Sequence, residues 1–238
     1  VTCIYIFKYK TMKKIFIAIA STLFLFPAFA QQLARVTLSS GGNSDVISFL
    51  TGDKVIINIT KDGTLADWGI ESGFNNENFF PGKLDQYMGL VEYYGNDVNP
   101  ALKGKVKFIG ATGIKYYTAE ENENFTGKIK SIGSLVFDYY TNFDDEAYKG
   151  KIRSAGRFSF THYGGFDNDA FKGKLKSAGG SNITYYSSTD DKSFRGKLKS
   201  IDGFNYTYYS SFEKREYNGA MKSGERVAYT NGIKFFVR

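Results

Sequence analysis

Apolar and polar residues alternate along most of the chain, and the alternation restarts every 23 residues. Each copy opens with an aromatic residue, any residue, Gly, Lys, an aliphatic residue and a basic residue, as in 171–176, FKGKLK. A fixed period of this length predicts a tandem array in which each unit packs on its neighbours. The marker glycines lie 23 residues apart, except that the first precedes the second by 22: Gly82, Gly104, Gly127, Gly150, Gly173, Gly196 and Gly219.

Each unit is predicted to form a β-hairpin. Counted from the marker glycine, the even positions are mostly apolar, and in one unit positions +8, +10 and +12 are Leu135, Phe137 and Tyr139. A period of two indicates strands with one buried face. Ser154-Ala155-Gly156 predicts a three-residue loop that ends in a left-handed glycine, a conformation that Asp202 of a later copy also tolerates. This register would place Gly150 beneath the ring of Phe160.

The residues on either side of the array lack the repeat phrase. Residues 31–79 predict N-terminal cap hairpins, residues 80–224 about seven repeats, and residues 225–238 a C-terminal cap hairpin on the turn Asn231-Gly232. Residues 31–238 are therefore expected to form a single all-β domain, a long antiparallel meander of about fourteen to sixteen strands. Its aromatic face has to be covered, so the sheet must curl, roll into two layers or meet a partner.

The first 30 residues predict an upstream stretch followed by a secretory signal peptide. Met12-Lys13-Lys14 precedes an apolar run that ends at Phe26, and small residues stand at Ala28 and Ala30. The run is short for a bilayer span, and no second long run follows it. We expect export to the periplasm, the outer surface or the medium, without a transmembrane helix in the mature chain.

Removal of this segment changes the charge. The whole chain has 31 basic and 24 acidic side chains, a net charge of +7. Four lysines and no acidic residue precede the expected cleavage site, which leaves 27 basic and 24 acidic side chains, a net +3. A small net charge on an exported chain argues against nucleic acid as a partner. The only cysteine, Cys3, would also be lost, so packing alone must stabilise the fold.

Two rows of recurring side chains are the candidate ligand-binding residues. Tyrosines at position +13 recur about 10 Å apart if one falls on every second strand, so their rings could stack on the sugars of a polysaccharide. Lysines at position +1 could bind anionic groups. The structural alternative is that the rings cover lysine stems and that the lysines form a solvated face. The candidates are Tyr117, Tyr140, Tyr163, Tyr186, Tyr209, Lys128, Lys151, Lys174 and Lys197.

Catalytic and metal chemistry have little support. His162 is the only histidine, and equivalent positions in other copies hold tyrosine, so it is interpreted as a substituted ring of an aromatic row. One histidine and no mature cysteine argue against zinc sites and against Ser-His or Cys-His machinery. The acidic links between units vary in their acid positions and match no calcium-loop spacing. We expect no enzyme, no metal and no cofactor.

The 23-residue period, the aromatic-x-Gly-x-aliphatic opening and one hairpin per unit resemble MORN repeats over residues 80–224. The later Gly-x-Gly of that pattern is absent, and Ile152 and its equivalents stand at its tryptophan position. The Gly-Lys-x-Lys-Ser-x-Gly and Tyr-Tyr phrases are similar to those of secreted repeat proteins of Bacteroidota. The MORN resemblance implies a scaffold or a membrane-associated module.

These observations predict a non-enzymatic exported repeat protein that acts as a binding or scaffold module at the cell envelope. Its expected partner is a polysaccharide or another envelope protein. One alternative is a purely structural envelope protein without a small ligand. A second is an outer-membrane β-barrel, although the predicted strands are shorter than the roughly nine to eleven residues that a membrane strand needs, and aromatic girdles are lacking.

Overall fold

The computed structural model describes residues 32–39, 45–72, 82–96 and 99–238, and the predicted signal peptide lies outside them. The described residues form twenty strands and two 3-10 turns, Glu123–Phe125 and Arg215–Tyr217. The all-β prediction is confirmed. The predicted strand number is too low, because the strand after Asp202 is broken in two and the flanking regions add six strands. In chain order the strands are β1 (Gln32–Leu38), β2 (Val46–Leu50), β3 (Ile56–Thr60), β4 (Leu65–Glu71), β5 (Leu84–Asp85), β6 (Val91–Tyr93), β7 (Val106–Ile109), β8 (Thr112–Tyr116), β9 (Ile129–Ile132), β10 (Leu135–Tyr139), β11 (Ile152–Ala155), β12 (Phe158–His162), β13 (Leu175–Ala178), β14 (Ser181–Tyr185), β15 (Leu198–Ile201), β16 (Phe204–Asn205), β17 (Thr207–Tyr208), β18 (Met221–Ser223), β19 (Val227–Thr230) and β20 (Ile233–Val237).

The repeats build an antiparallel sheet of eleven strands, β6 to β16, in which chain neighbours are also sheet neighbours. The hairpin of each unit is tighter than predicted. Ala155 pairs with Phe158, so the loop holds only two residues, and the predicted three-residue loop is wrong because Ser154 and Ala155 still belong to the strand. The left-handed conformation of Gly156 and Asp202 is confirmed, with φ of 56° and 46°, but Gly156 opens the loop instead of ending it.

The marker glycines are required by their backbone conformation. All seven have a φ between 69° and 86°, a region in which a β-carbon costs roughly 1–2 kcal/mol. The N–H of Gly150 donates to the carbonyl oxygen of Tyr140 in the preceding unit, at 2.8 Å. The expectation that Gly150 lies beneath Phe160 is wrong, because the hairpin pairs Ser154 with Ser159 and Ala155 with Phe158, a register three residues away from the predicted one.

A β-bulge recurs in every unit. Where β10 meets β11, Asp138 pairs with Ser154 and Tyr139 pairs with Ile152, so Arg153 has no partner of its own. The same shift occurs at the equivalent place in the other units. Bulges increase strand twist. Their regular recurrence explains why this sheet curls into a half-barrel.

The two predicted cap regions join in one sheet of seven strands, in the order β19-β20-β1-β2-β3-β4-β5. Strand β1 pairs in parallel with β20, with Val36 opposite Phe235, and this pair departs from the predicted antiparallel meander. The two ends of the described chain are therefore hydrogen-bonded side by side, instead of covering opposite ends of the array.

The seven-stranded sheet packs on the repeat sheet, which resolves how the aromatic face is covered. The rings of Phe49 and Phe137 meet edge to face with centroids 5.2 Å apart, and neither side chain is exposed. At the turn between β3 and β4, the carbonyl oxygen of Gly63 accepts a hydrogen bond of 2.9 Å from the N–H of Ile129. A β-carbon on Gly63 would lie 2.2 Å from the hydroxyl oxygen of Tyr139, so only glycine permits this approach.

The first repeat is divided between the two sheets. Its opening strand, β5, pairs with β4, with Asp85 opposite Ile70. Its next strand, β6, pairs with β7 at the edge of the repeat sheet. The junction of the sheets therefore lies between two short edge strands, and residues 86–90 connect them.

Candidate functional site

The predicted tyrosine row exists, and the hydroxyl groups of its first four members are bonded within the chain. Each of these four hydroxyls donates to a backbone carbonyl oxygen 20 residues further on, for example from Tyr140 to Phe160 at 3.0 Å and from Tyr163 to Ile183 at 2.8 Å. Tyr117 and Tyr186 make the equivalent bonds to Phe137 and Tyr206. All five rings are half-buried, and that of the last member, Tyr209, packs against Tyr217 with centroids 5.3 Å apart.

Burial raises the pKa of four hydroxyls in this row, which remain neutral donors near pH 7. They are those of Tyr117, Tyr140, Tyr163 and Tyr186. Each of these rings also packs against the aromatic residue at position −2 of the next unit, as Tyr163 does against Phe171 at 4.6 Å. The row therefore ties one unit to the next.

The predicted lysines lie inside this arrangement. The ammonium of each donates to the carbonyl oxygen of the next marker glycine, for example from Lys128 to Gly150 at 2.9 Å. The equivalent pairs are Lys151 with Gly173, Lys174 with Gly196, and Lys197 with Gly219. Lys128 also donates to the carbonyl oxygen of Asp62, at 2.8 Å, across the junction with the seven-stranded sheet.

Burial lowers the pKa of all four lysines, because it disfavours the charged ammonium. Three of them also lie over the ring at position +12 of their own unit, as Lys174 does over Tyr185 at 5.2 Å. The structure thus brings the predicted ligand-binding residues together in two rows, and the groups that would contact a ligand contact the chain itself. Their role in ligand binding stays a prediction.

His162 is confirmed as a member of the aromatic row. It is buried, its ring lies 5.9 Å from that of Tyr140, and it stacks with Tyr148 at 6.4 Å. Burial, with nearby Lys151 and Lys61, lowers its pKa to about 3. A neutral, enclosed imidazole packs as a ring, and it is poorly placed to meet a substrate.

An open cleft lies at the junction where the first repeat divides. It has a volume of about 360 Å³, within the range of small-ligand sites. Three aromatic rings, one carboxylate and one amide contribute to its walls. The lining residues are Ala66, Asp67, Trp68, Gln86, Tyr87, Val91 and Tyr93.

The local structure explains how these side chains come to face the cleft. Asn58 pairs with Asp67 and Ile59 pairs with Leu65, so Ala66 is an extra residue, and this bulge turns β4 beside the cleft. Tyr93, at position +11 of the shorter first unit, is the counterpart of the residue at +12 that is buried in the later units, but here the side chain is 55% exposed because β6 is an edge strand. A break in the repeat thus exposes a ring that the array elsewhere encloses.

A row of polar side chains crosses the seven-stranded sheet and ends at Asp67. Arg35, Ser48, Asn58 and Asp67 pair in register on four neighbouring strands. The guanidinium of Arg35 donates to Ser48 Oγ at 3.3 Å, Ser48 donates to Asn58 Oδ1 at 2.5 Å, and Asn58 Nδ2 donates to Asp67 Oδ1 at 2.5 Å. Asp67 is therefore held in one orientation at the cleft by buried partners.

Arg35 at the other end of this row is 1% exposed. Its guanidinium also donates to the carbonyl oxygen of Gly82 at 3.0 Å, forms an ion pair with Glu71 at 3.4 Å and lies 5.3 Å from the ring centroid of Phe236. Burial lowers its pKa, and Glu71 opposes that shift. The guanidinium therefore has several partners at once, and its bond to Gly82 fixes the backbone next to β5.

This arrangement can bind a ligand by stacking and hydrogen bonding. Rings supply apolar contact area, and Asp67 and Gln86 supply an acceptor and an amide. Within the described residues, no group of three or more His, Cys, Asp or Glu side chains is placed to hold a metal ion. Over the same part of the chain, no helix is long and apolar enough to span a membrane.

Sequence reasoning missed this cleft. The available signal was the single tryptophan of the chain, Trp68, which stands outside the repeats beside a carboxylate. Tyr87 and Tyr93 reach the same cleft because the first repeat is divided between the two sheets. The repeat phrase at Gly82 gives no sign of this division. No family model matches the chain, and searches of curated proteins and of solved structures gave no significant match.

Proposed function

We propose that this protein is a non-enzymatic binding module that holds a saccharide in the cleft between its two sheets. The observation that carries the proposal is the meeting of Trp68, Tyr87 and Tyr93 around the fixed carboxylate of Asp67. A sugar ring presents C–H groups that pack on aromatic faces and hydroxyls that donate to a carboxylate. Because Asp67 is already held by Asn58, little conformational freedom remains to be lost on binding.

The predicted signal peptide extends the proposal to location. An exported module at the cell envelope would meet extended polysaccharides, and a saccharide site fits that environment. The repeat sheet then serves as the rigid support of the cleft. Neither role requires a bond to be made or broken, so the proposed function remains non-enzymatic.

The single tryptophan gives a direct test. Trp68 fluorescence should shift or be quenched when the protein is titrated with one of the soluble hexasaccharides cellohexaose, chitohexaose and xylohexaose, because no other tryptophan contributes. Tyr93→Ala should weaken this binding by about tenfold or more, since a central stacking contact is lost. Tyr229→Ala is the matched control, because Tyr229 is a 66% exposed ring on β19. Unchanged affinity in Tyr93→Ala, or no response to any of the three sugars, would count against the cleft as the site.

A purely structural protein remains the second candidate, and the bonded tyrosine and lysine rows favour it. Four of the five tyrosine hydroxyls and all four lysine ammonium groups of these rows make hydrogen bonds between units. Replacement of Tyr140, Tyr163 and Tyr186 together by Ala separates the two ideas. Loss of folding, with no saccharide bound by the wild type, would support the structural role.

A further inference from the structure

Three phenylalanines stand fully exposed on the acidic links between units. Phe143, Phe166 and Phe212 are 101%, 107% and 93% exposed. Each follows the +13 tyrosine of its unit by three residues, so they occupy equivalent places in different links. Exposed apolar side chains at one recurring surface position indicate an interaction surface more strongly than scattered ones do.

The links hold these rings in fixed positions. The N–H of Thr141 donates to Asp144 Oδ2 at 2.6 Å, immediately around Phe143. Gly164 makes the same bond to Asp167 at 2.6 Å around Phe166, and Ser210 to Glu213 at 2.7 Å around Phe212. The rings are therefore carried on closed turns whose backbone repeats.

Each link is also bonded to the next one. The N–H of Gly165 donates to Asp145 Oδ2 at 2.7 Å, and that of Ser188 donates to Asn168 Oδ1 at 2.9 Å. Ser211 donates to Asp191 at 3.1 Å in the same way. Successive links are two strands apart, or about 10 Å. The edge of the array is thus a rigid row with a regular spacing.

The charge of this edge selects among ligands. The five links 118–126, 141–149, 164–172, 187–195 and 210–218 contain 12 acidic and 6 basic side chains. An excess of carboxylates repels nucleic acids, anionic polysaccharides and anionic lipid headgroups. Separate rings about 10 Å apart also lack the continuous apolar centre of a protein interface. A neutral linear polymer can instead contact the rings one after another.

We propose that Phe143, Phe166 and Phe212 form a second binding surface for an extended, neutral, β-1,4-linked polysaccharide. Two sugar rings of such a chain span about the same length as two strands of the sheet, so the polymer and the row of links stay in step. The surface uses none of the cleft residues, and it goes beyond the proposed function. It can hold even if the cleft binds nothing, because its ligand is the polymer along the edge of the array.

The chain itself provides the substitutions for a test. The fourth link carries Thr189 at the place of these phenylalanines, so Thr is compatible with the turn. Binding is measured by depletion of the protein from solution onto insoluble cellulose and chitin. Replacing all three phenylalanines by Thr should reduce the partition coefficient at least about tenfold, and each single replacement should reduce it by about three- to tenfold. The melting temperature should not change, because the side chains are exposed.

The reverse substitution tests whether the exposed rings act together as one row. Thr189→Phe would fill the gap between Phe166 and Phe212 and should increase the partition coefficient by about three- to tenfold on the polymer that the wild type binds. A Tyr93→Ala background separates this surface from the cleft: the effects of the phenylalanine substitutions should persist there. No binding to cellulose or chitin, or binding that the triple replacement leaves intact, would overturn the proposal. Binding to phosphatidylglycerol vesicles that the triple replacement abolishes would also overturn it, in favour of a lipid surface.

Discussion

In the eleven-stranded repeat sheet the same few contacts recur in every unit, whereas in the seven-stranded sheet each position makes a contact of its own. The repeat sheet bonds the hydroxyls of Tyr117, Tyr140, Tyr163 and Tyr186 and the ammonium groups of the +1 lysines to the following unit. The seven-stranded sheet depends on single features, namely the parallel pair of β1 with β20 and the buried Arg35.

The comparison shows two ways of stabilising a β-sheet. Each copy of a repeated contact can contribute little to stability, because the other copies still hold the units together when one is lost. A unique buried contact is not duplicated, so its loss leaves charged or polar groups without partners. Substitutions in the two sheets should therefore differ in size, and the following experiments test that difference.

The largest effect is expected from Arg35. Arg35→Ala would remove a large buried side chain together with its hydrogen bonds to Ser48, Glu71 and the carbonyl oxygen of Gly82, and should lower the free energy of unfolding by about 3–5 kcal/mol. Arg153→Ala is the matched change in the repeat sheet, where the side chain is 58% exposed, and should change it by less than about 0.5 kcal/mol. Urea denaturation measures both, and equal effects would contradict the contrast between the sheets.

The next effect is on pH dependence. His162 is neutral in the folded protein down to about pH 3, whereas the unfolded side chain binds a proton near pH 6.5. Protons therefore favour the unfolded state in this window, and acidification from pH 7 to pH 3 should remove up to about 4 kcal/mol of stability through this group. In His162→Tyr, which copies the residue of other units, that contribution should be absent. The measurement is the free energy of unfolding of both proteins as a function of pH. Because His162 is the only histidine, an equal loss of stability on acidification in the two proteins would refute this prediction.

A smaller effect distinguishes marker glycines within the repeat sheet. Gly196→Ala places a β-carbon 2.4 Å from the carbonyl oxygen of Ala170, on top of the cost of a left-handed backbone. Gly104→Ala has the same backbone conformation with nothing within 4 Å. We expect a loss of about 1–2 kcal/mol for Gly104→Ala and a larger one for Gly196→Ala. Thermal unfolding measures the difference, and equal losses would show that the neighbouring unit yields to the new atom.

The smallest effect is expected from a single hydroxyl of the tyrosine row. Tyr163→Phe removes the bond to Ile183, keeps the ring, and should cost about 1 kcal/mol. Tyr229→Phe, at an exposed position, serves as the control and should leave the melting temperature unchanged. If Tyr163→Phe weakens saccharide binding without changing stability, the predicted ligand-binding role of the tyrosine row gains support over its structural role.

The repeat unit was predictable because its contacts join residues that lie close together in the sequence. The alternation of residues such as Leu135, Phe137 and Tyr139 fixes which face is buried, and this holds for any antiparallel partner. The loop length and the register of Gly150 were predicted wrongly, because Ser-x-Gly fits either a two-residue or a three-residue turn. Period-two patterns do not determine which residue begins the turn.

By itself, the sequence determined an all-β array of 23-residue hairpins and the rows of tyrosines and lysines within it, because each depends on residues that recur at a constant spacing. Only the tertiary structure decided that β1 meets β20, that β5 leaves the repeat sheet, and that Trp68 and Tyr93 line one cleft. These are contacts between segments far apart in the chain. They depend on how two sheets fit together, which no local pattern of residues encodes.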